Sequence, residues 1–182
     1  MCTDGTLVGG IAAGDKKALG KLVERHKKLA YRLALGLVGN KDDAFDISQE
    51  AFLRVYRSAA TFDQAQPFLP WFYTIISNLC KTWLRKRKRY EYRAVDLDDV
   101  SFLLVDPNTP DRALESKELI DRLRRALMEL PFKDREIITL QHFRGLSYDE
   151  IADLLKIPRG TVMSRLYYAR KKLSNLMRLH DE

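Results

Sequence analysis

An all-α chain of two small helical domains joined by an acidic flexible linker is what the sequence predicts, on three observations. Apolar residues recur at three- and four-residue steps over most of its 182 positions. That pattern dissolves between Ala94 and Glu115, where Pro107 and Pro110 stand among Asp96, Asp98, Asp99, Asp106, Asp111 and Glu115, with Arg112 as counter-charge, for a net −5. Positive charge is concentrated at two places, +6 over residues 81–93 and +7 over residues 156–178, so the remainder of a chain of net charge +7 carries −6. The expected division is 1–93, a linker over 94–115, and 116–182.

The first domain opens with Leu19, Leu22, Val23, His26, Leu29, Ala30, Leu33 and Leu37 on one helical face. Ile47, Ala51, Phe52, Val55 and Ala59 repeat the pattern in a second helix. Phe68 to Lys88 makes a third, with Phe72, Ile75, Ile76 and Leu79 inward, and Asn40-Lys41-Asp42 and Phe62-Asp63-Gln64 read as breaks. Within the linker only Ser101 to Val105, "SFLLV", hints at extended backbone. Leu119, Leu123, Leu127 and Leu130 then begin a helical unit that continues through Ile137, Ile138 and Phe143. Ser147 and Glu150 have the spacing of a capping box, so a helix starts at Tyr148. It runs through Ile151, Leu154 and Leu155 and turns at Lys156-Ile157-Pro158. The next helix has Pro158 or Arg159 as its first residue, a position that tolerates a missing amide hydrogen. In this last helix Val162, Leu166, Ala169, Leu173 and Leu176 share one side, leaving Thr161, Ser164, Arg165, Tyr168, Lys171 and Lys172 on the other with no acid among them.

Two cationic runs without balancing acids are the footprint expected of phosphate binding, because each neutralised phosphate releases condensed counterions. Helix, short turn and cationic second helix together match the DNA-reading helix-turn-helix. In that geometry Arg159, Thr161 and Ser164 reach base edges, while Arg165, Arg170, Lys171 and Lys172 hold phosphates. Asp43, Asp46 and Glu50, with Gln49 beside them, form an acidic stripe suited to a basic partner. Plain solvated surface and a metal-binding carboxylate cluster are the rival readings, and the second lacks histidine and a second ligand helix. Phe62, Phe68, Trp71, Phe72 and Tyr73 bracket a proline-containing loop ahead of the basic run, an order suited to stacking single-stranded bases beside a cationic track; Trp71 and Phe72 are expected to pack inside. Cys2 and Cys80 are too few for a disulfide framework, and with His26, His142 and His180 they offer no metal-ligand spacing. Both thiols are expected reduced, and no metal or cofactor is expected. No apolar run approaches the roughly 18 residues that a membrane span needs, and "MCTDGTLVGG" lacks the pattern of a secretory signal. The expectation is a cytoplasmic protein without membrane insertion.

"LMELPFKDREIITLQHF" followed by "GLSYDEIADLLKIPRGTVMSRLYYARKKL" resembles the promoter-reading domain of bacterial sigma factors of the extracytoplasmic-function group. "DDAFDISQEAFLRVYRSAATF" resembles that family's docking helix for core RNA polymerase, and "PFLPWFYTIISNLCKTWLRKRKR" resembles its promoter-melting segment. The resemblance implies that 1–93 is sigma region 2 and 116–182 is sigma region 4. It implies polymerase contacts at Asp43, Asp46, Gln49, Glu50 and Phe52. Contacts with the parted minus-10 strand are implied at Phe62, Phe68, Asn78, Lys81, Arg85, Lys86, Arg87, Lys88 and Arg89, with the Thr61–Pro70 loop capturing a flipped base. Duplex minus-35 contacts are implied at Arg159, Thr161, Ser164, Arg165, Tyr168, Arg170, Lys171 and Lys172. The implied partners are core RNA polymerase, promoter DNA and an anti-sigma protein; the linker is either a mimic of nucleic acid inside polymerase or a spacer. The chain itself is expected to be no enzyme, and a regulator or repressor acting without polymerase is the alternative. Three positions depart from the family pattern: Tyr168 stands where many relatives carry arginine, Pro158 where a serine cap is possible, and Lys156 where glycine is frequent.

Overall fold

The computed structural model describes residues 3–90, 113–144 and 146–179. The expected linker from Ala94 to Arg112, including Ser101–Val105, lies outside the described residues, as do Cys2 and His180. Among the described residues there are eight α-helices, one short 3-10 turn and no strand. Packing divides the chain into a first unit of Met1–Ala34 with Asp42–Ala94 and a second of Leu35–Lys41 with Val95–Glu182. The last turn of the helix over 16–38 therefore groups with the second unit.

In the first unit, α1 (Asp4–Ala12) is capped by Thr3, whose hydroxyl accepts from the Thr6 N–H at 3.2 Å, and it buries Leu7, Val8 and Ile11. The sequence reading did not anticipate this helix. Helix α2 (Lys16–Val38) is capped by Asp15, which accepts from the Lys17 N–H at 2.8 Å. It stops at Gly39, whose φ of 77° closes the helix with a bond from its N–H to the Leu35 carbonyl. Helix α3 (Lys41–Ser58) starts at once, so the break lies at Gly39-Asn40 rather than within Asn40-Lys41-Asp42. A 3-10 turn over Ala59–Thr61 and a loop lead into α4 (Phe68–Tyr90).

The core of this unit is aromatic. Phe72, 1% exposed, stacks on Phe68 at 5.1 Å and 19° and meets Phe52 at 5.0 Å, while His26 lies 5.2 Å from Phe68. Tyr73, Ile76, Leu79 and Cys80 complete it, with Ile75 half-buried. His26 is itself buried, and its Nε2–H donates to the Asp4 carboxylate at 3.0 Å, which ties α2 to α1.

In the second unit, α5 (Ala113–Glu129) starts inside the stretch read as linker. Among the residues whose burial is described, its buried positions are Ile120, Arg124, Ala126 and Leu127, followed by Leu130, whereas Leu119 is exposed and Leu123 half-buried. The inward face therefore keeps Leu127 and Leu130 of the leucine row that the sequence suggested and adds Ile120 and Ala126. Pro131 divides the expected helical unit, and α6 (Phe132–Arg144) follows. Helix α7 (Tyr148–Leu155) has the anticipated capping box. The Ser147 hydroxyl accepts from the Glu150 N–H at 3.2 Å, and the Ser147 N–H donates to the Glu150 carboxylate at 2.8 Å. These bonds hold the Glu150 carboxyl below the usual carboxylate range.

Lys156 ends α7 in the left-handed region, at φ 54° and ψ 47°, a conformation costly for any residue with a Cβ. Lys156→Gly is expected to raise the stability of this unit by about 1 kcal/mol, read as a higher urea midpoint at unchanged slope. Helix α8 (Arg159–Leu179) then buries Val162, Leu166 and Ala169 against α5, α6 and α7.

Candidate nucleic-acid interface

Helices α7 and α8 form the helix-turn-helix that the sequence suggested, and α8 turns its cationic side to solvent. Arg159 and Ser164 are exposed at its N-terminal end, with Thr161 and Arg165 half-exposed. Arg159 lies 3.5 Å from the Asp149 carboxylate, a contact between two well-exposed groups that is worth at most about 1 kcal/mol.

Two cations read as free phosphate holders are engaged within the unit. Lys172 Nζ lies 2.6 Å from Asp134, and Arg170 donates to the Gln141 side chain at 2.5 Å, both on α6. Helix α8 has no acid on this side, as the sequence indicated; the acid comes from another helix. Arg165 and Lys171 have no acidic partner among the described residues. The same face carries apolar groups that the sequence reading passed over. Met163 and Tyr167 are 50% and 63% exposed beside Tyr168, and with Tyr148, Leu166, Arg170 and Lys171 they line a shallow groove. They sit outside the buried stripe at a spacing of four, which is the signal that reveals them.

In the first unit, Asn78, Lys81 and Arg85 are exposed on α4 at steps of three and four, so they form one row, with Lys86 exposed beside it. Arg85 also donates to the Thr82 hydroxyl at 3.2 Å. Lys88 and Arg89 continue the helix, but their side chains lie outside the described residues.

Phe62 and Phe68, read as strand contacts, are 8% and 4% exposed. Phe62 packs on Trp71 at 4.7 Å and on Phe68 at 6.3 Å. Their faces are taken up by the core, so as folded they offer no stacking platform. Phe72 is inside as expected; Trp71 is only half-buried, so the pair divides. The loop above this cluster is held by the Asp63 carboxylate, which accepts from the Ala65 N–H at 3.0 Å, and by the Asp63 carbonyl, which accepts from the Gln66 N–H at 3.0 Å.

The acidic stripe on α3 is more structured than its spacing suggested. Asp43 accepts from the Trp83 indole N–H at 3.1 Å and lies 3.9 Å from Arg87, whose guanidinium sits over the Trp83 ring at 5.0 Å. Asp43 and Arg87, assigned to different partners from sequence, are thus brought together by Trp83, a residue the sequence reading did not single out. Partial burial raises the Asp43 carboxyl above its usual range, against the opposing pull of Arg87 and the indole. Glu50 faces Arg54 at 3.3 Å and Arg57 at 3.6 Å on its own helix. Asp46 and Gln49 are exposed. Phe52, read as a contact residue, is 8% exposed against Phe72 and belongs to the core. Beside the stripe, Phe45, Leu53 and Tyr56 are instead about half exposed, at 55%, 48% and 47%. With Gln49 they make a row at steps of four and three.

Among the described residues no group of three His, Cys, Asp or Glu side chains is placed to hold a metal, and no helix is long and apolar enough to cross a membrane.

Residues 22–90 match the family described as sigma-70 region 2, and residues 120–173 match sigma-70, region 4. The chain is similar to the ECF RNA polymerase sigma factor SigW of Bacillus subtilis, being 33% identical over 174 residues that cover 92% of this chain and 93% of the relative. It is likewise 33% identical over 179 residues to the ECF RNA polymerase sigma-E factor of Escherichia coli K12, covering 95% of this chain and 93% of that one. Among solved structures it is similar to CnrH in complex with the cytosolic domain of CnrY, with a TM-score of 0.69, 26% identity and 97% of each chain covered. The fold is also that of the sigma factor RpoE of Bartonella quintana, solved with the anti-sigma factor NepR, at a TM-score of 0.66 and 23% identity over 89% of this chain and 98% of that chain.

Proposed function

The chain belongs to the extracytoplasmic-function group of the sigma-70 family, and from that premise we propose how its surfaces divide the work of starting transcription. As a sigma factor it binds core RNA polymerase and directs it to promoters. The observation that carries this function is the ordered pair of matches, region 2 over 22–90 and region 4 over 120–173. Promoter duplex meets α8, with Arg159, Thr161 and Ser164 toward the bases and Arg165, Tyr168 and Lys171 on the backbone. Arg170 and Lys172 join by exchanging Gln141 and Asp134 for phosphate. Met163, exposed among the base-reading positions, is suited to a thymine methyl group.

The parted strand follows the α4 row of Asn78, Lys81 and Arg85, with Lys86, Arg87, Lys88 and Arg89 extending the positive field, and the 61–70 loop receives an extruded base. Polymerase docks on α3 through Asp46, Gln49 and Glu50, with Asp43 at the edge. The exposed Phe45, Leu53 and Tyr56 supply the apolar area that an acidic stripe alone lacks. Asp43 is already partly desolvated and therefore loses less hydration on docking than a fully exposed carboxylate.

The functional boundaries are region 2 over 1–93 and region 4 over 116–182. Tethering the two units raises the local concentration of each at one promoter. Polymerase supplies the phosphodiester chemistry and this chain none. It acts in the cytoplasm, where an anti-sigma protein is its further partner.

Transcription from a random promoter library by core polymerase with this protein tests the reading. Two enriched elements at fixed spacing support it, and duplex binding with no polymerase-dependent start-site selection opposes it. In the same assay Arg165→Ala is expected to weaken use of every sequence alike. Arg159→Ala is expected to relax preference at one position by about 1–3 kcal/mol. A uniform loss from Arg159→Ala would make that residue a phosphate clamp.

A further inference from the structure

We infer that α1 sets the conformation of the strand-capturing loop, with Gly5, Gly9 and Gln64 as its positioning residues. The inference rests on the reading that this loop receives the parted strand. Helix α1 precedes the residues matched by the region 2 family, which begin at 22, and nothing in the division of labour above uses it. It packs against the 3-10 turn that opens the loop.

The contact is made through glycine. A Cβ on Gly9 would stand 2.7 Å from the Gln64 Nε2 and 2.9 Å from its Cδ and Oε1, so any other residue there turns this exposed amide away from the helix by a side-chain rotation and removes its contact with α1. One turn earlier, a Cβ on Gly5 would stand 3.3 Å from the Gln64 backbone carbonyl. The helix thus offers a bare face to one loop residue, side chain and backbone together. Glycine lowers the helix propensity of α1, and close approach of the loop is what its absent Cβ permits.

The platform is fixed from the other side. Asp4 takes Arg25 at 2.5 Å and the buried His26 at 3.0 Å, while Leu7, Val8 and Ile11 are buried. With Phe62 locked in the aromatic core and Asp63 closing the turn, Gln64 is the third point of attachment, and the outer loop residues Ala65, Gln66 and Pro67 are presented as one preset shape. Presetting matters because a displacement of about 1 Å at a positioning element is enough to lower a rate by up to about 10²-fold.

The test uses the full chain with core polymerase on a promoter carrying 2-aminopurine in the melted segment. Strand opening, polymerase affinity and duplex binding are measured for Gly9→Ala, Gln64→Ala and the double variant, with Asp63→Ala as a second loop variant. Gly20→Ala is the control, because a Cβ at Gly20 meets nothing within 4 Å. Gly9→Ala favours the helix backbone, so a loss of opening does not arise from unravelling of α1. Opening is expected to slow by about tenfold in Gln64→Ala and by about threefold in Gly9→Ala, where the exposed Gln64 side chain can swing aside, with polymerase and duplex affinity unchanged. In the Gln64→Ala background the added methyl displaces no amide and is expected to have little further effect. Fully additive losses, or a Gly9→Ala variant that behaves as Gly20→Ala while the loop variants are slow, overturn the inference alone. If Gln64→Ala and Asp63→Ala both open strands at the normal rate, the loop reading beneath it fails as well.

Discussion

Core RNA polymerase is expected to lose nearly all affinity for a variant in which Asp46 and Glu50 are both lysine. Each reversal would set a cation against the basic surface proposed to meet this stripe, and like-charge juxtaposition in an interface costs several kcal/mol. Two such changes lower the affinity by about 10³-fold or more. The fold survives them. Asp46 is exposed, and the partners that Glu50 loses, Arg54 and Arg57, are largely exposed residues of the same helix, where such pairs contribute only about 0.2–0.5 kcal/mol. Co-elution with core polymerase checks the loss, and far-ultraviolet circular dichroism checks that helix content is unchanged. Retained binding by the folded variant would move the docking surface off α3.

Phe72→Ala acts by the opposite route. Its ring is 1% exposed and shared between Phe52 on α3 and Phe68 on its own helix. Truncation leaves a cavity that α2, α3 and α4 cannot fully close, at a cost of about 3–5 kcal/mol. Against a total of about 5–15 kcal/mol for a whole domain, this brings the first unit close to unfolding. For a unit of this size the thermal midpoint is expected to fall by at least about 12 °C. A fall of less than about 5 °C would show that neighbouring side chains refill the space.

Local chemistry was legible from sequence, and distant pairing was not. Ser147 and Glu150 disclose their capping box because both halves lie within one turn. The boundaries of α7 and α8 follow from that box and from Pro158. The stripe of Val162, Leu166 and Ala169 is legible because a single helix spaces it. Helix α1 was hidden by three glycines in nine residues, which depress helix propensity; two of them, Gly5 and Gly9, serve a contact with a loop some fifty positions further along. Lys172 and Asp134, or Asp43 and Trp83, are 38 and 40 residues apart, and no periodicity links them. The aromatics misled for a related reason. A phenylalanine beside a basic run has the same sequence signature whether it stacks on a base or fills a core, and only the converging rings of Phe52, Phe62, Phe68 and Phe72 decide it. Of the regular leucine row that runs along α5 to Leu130, only Leu127 and Leu130 are buried, so leucine spacing identifies the inward face only in part.

The Cys80 thiol, sealed in the α4 core at 0% exposure, makes the first unit its own stopwatch. An alkylating reagent reaches that sulfur only in molecules that have transiently come apart, so the rate of modification measures how often the unit breathes. Docking on polymerase then becomes measurable as a slowing of that reaction, with no label added to the chain.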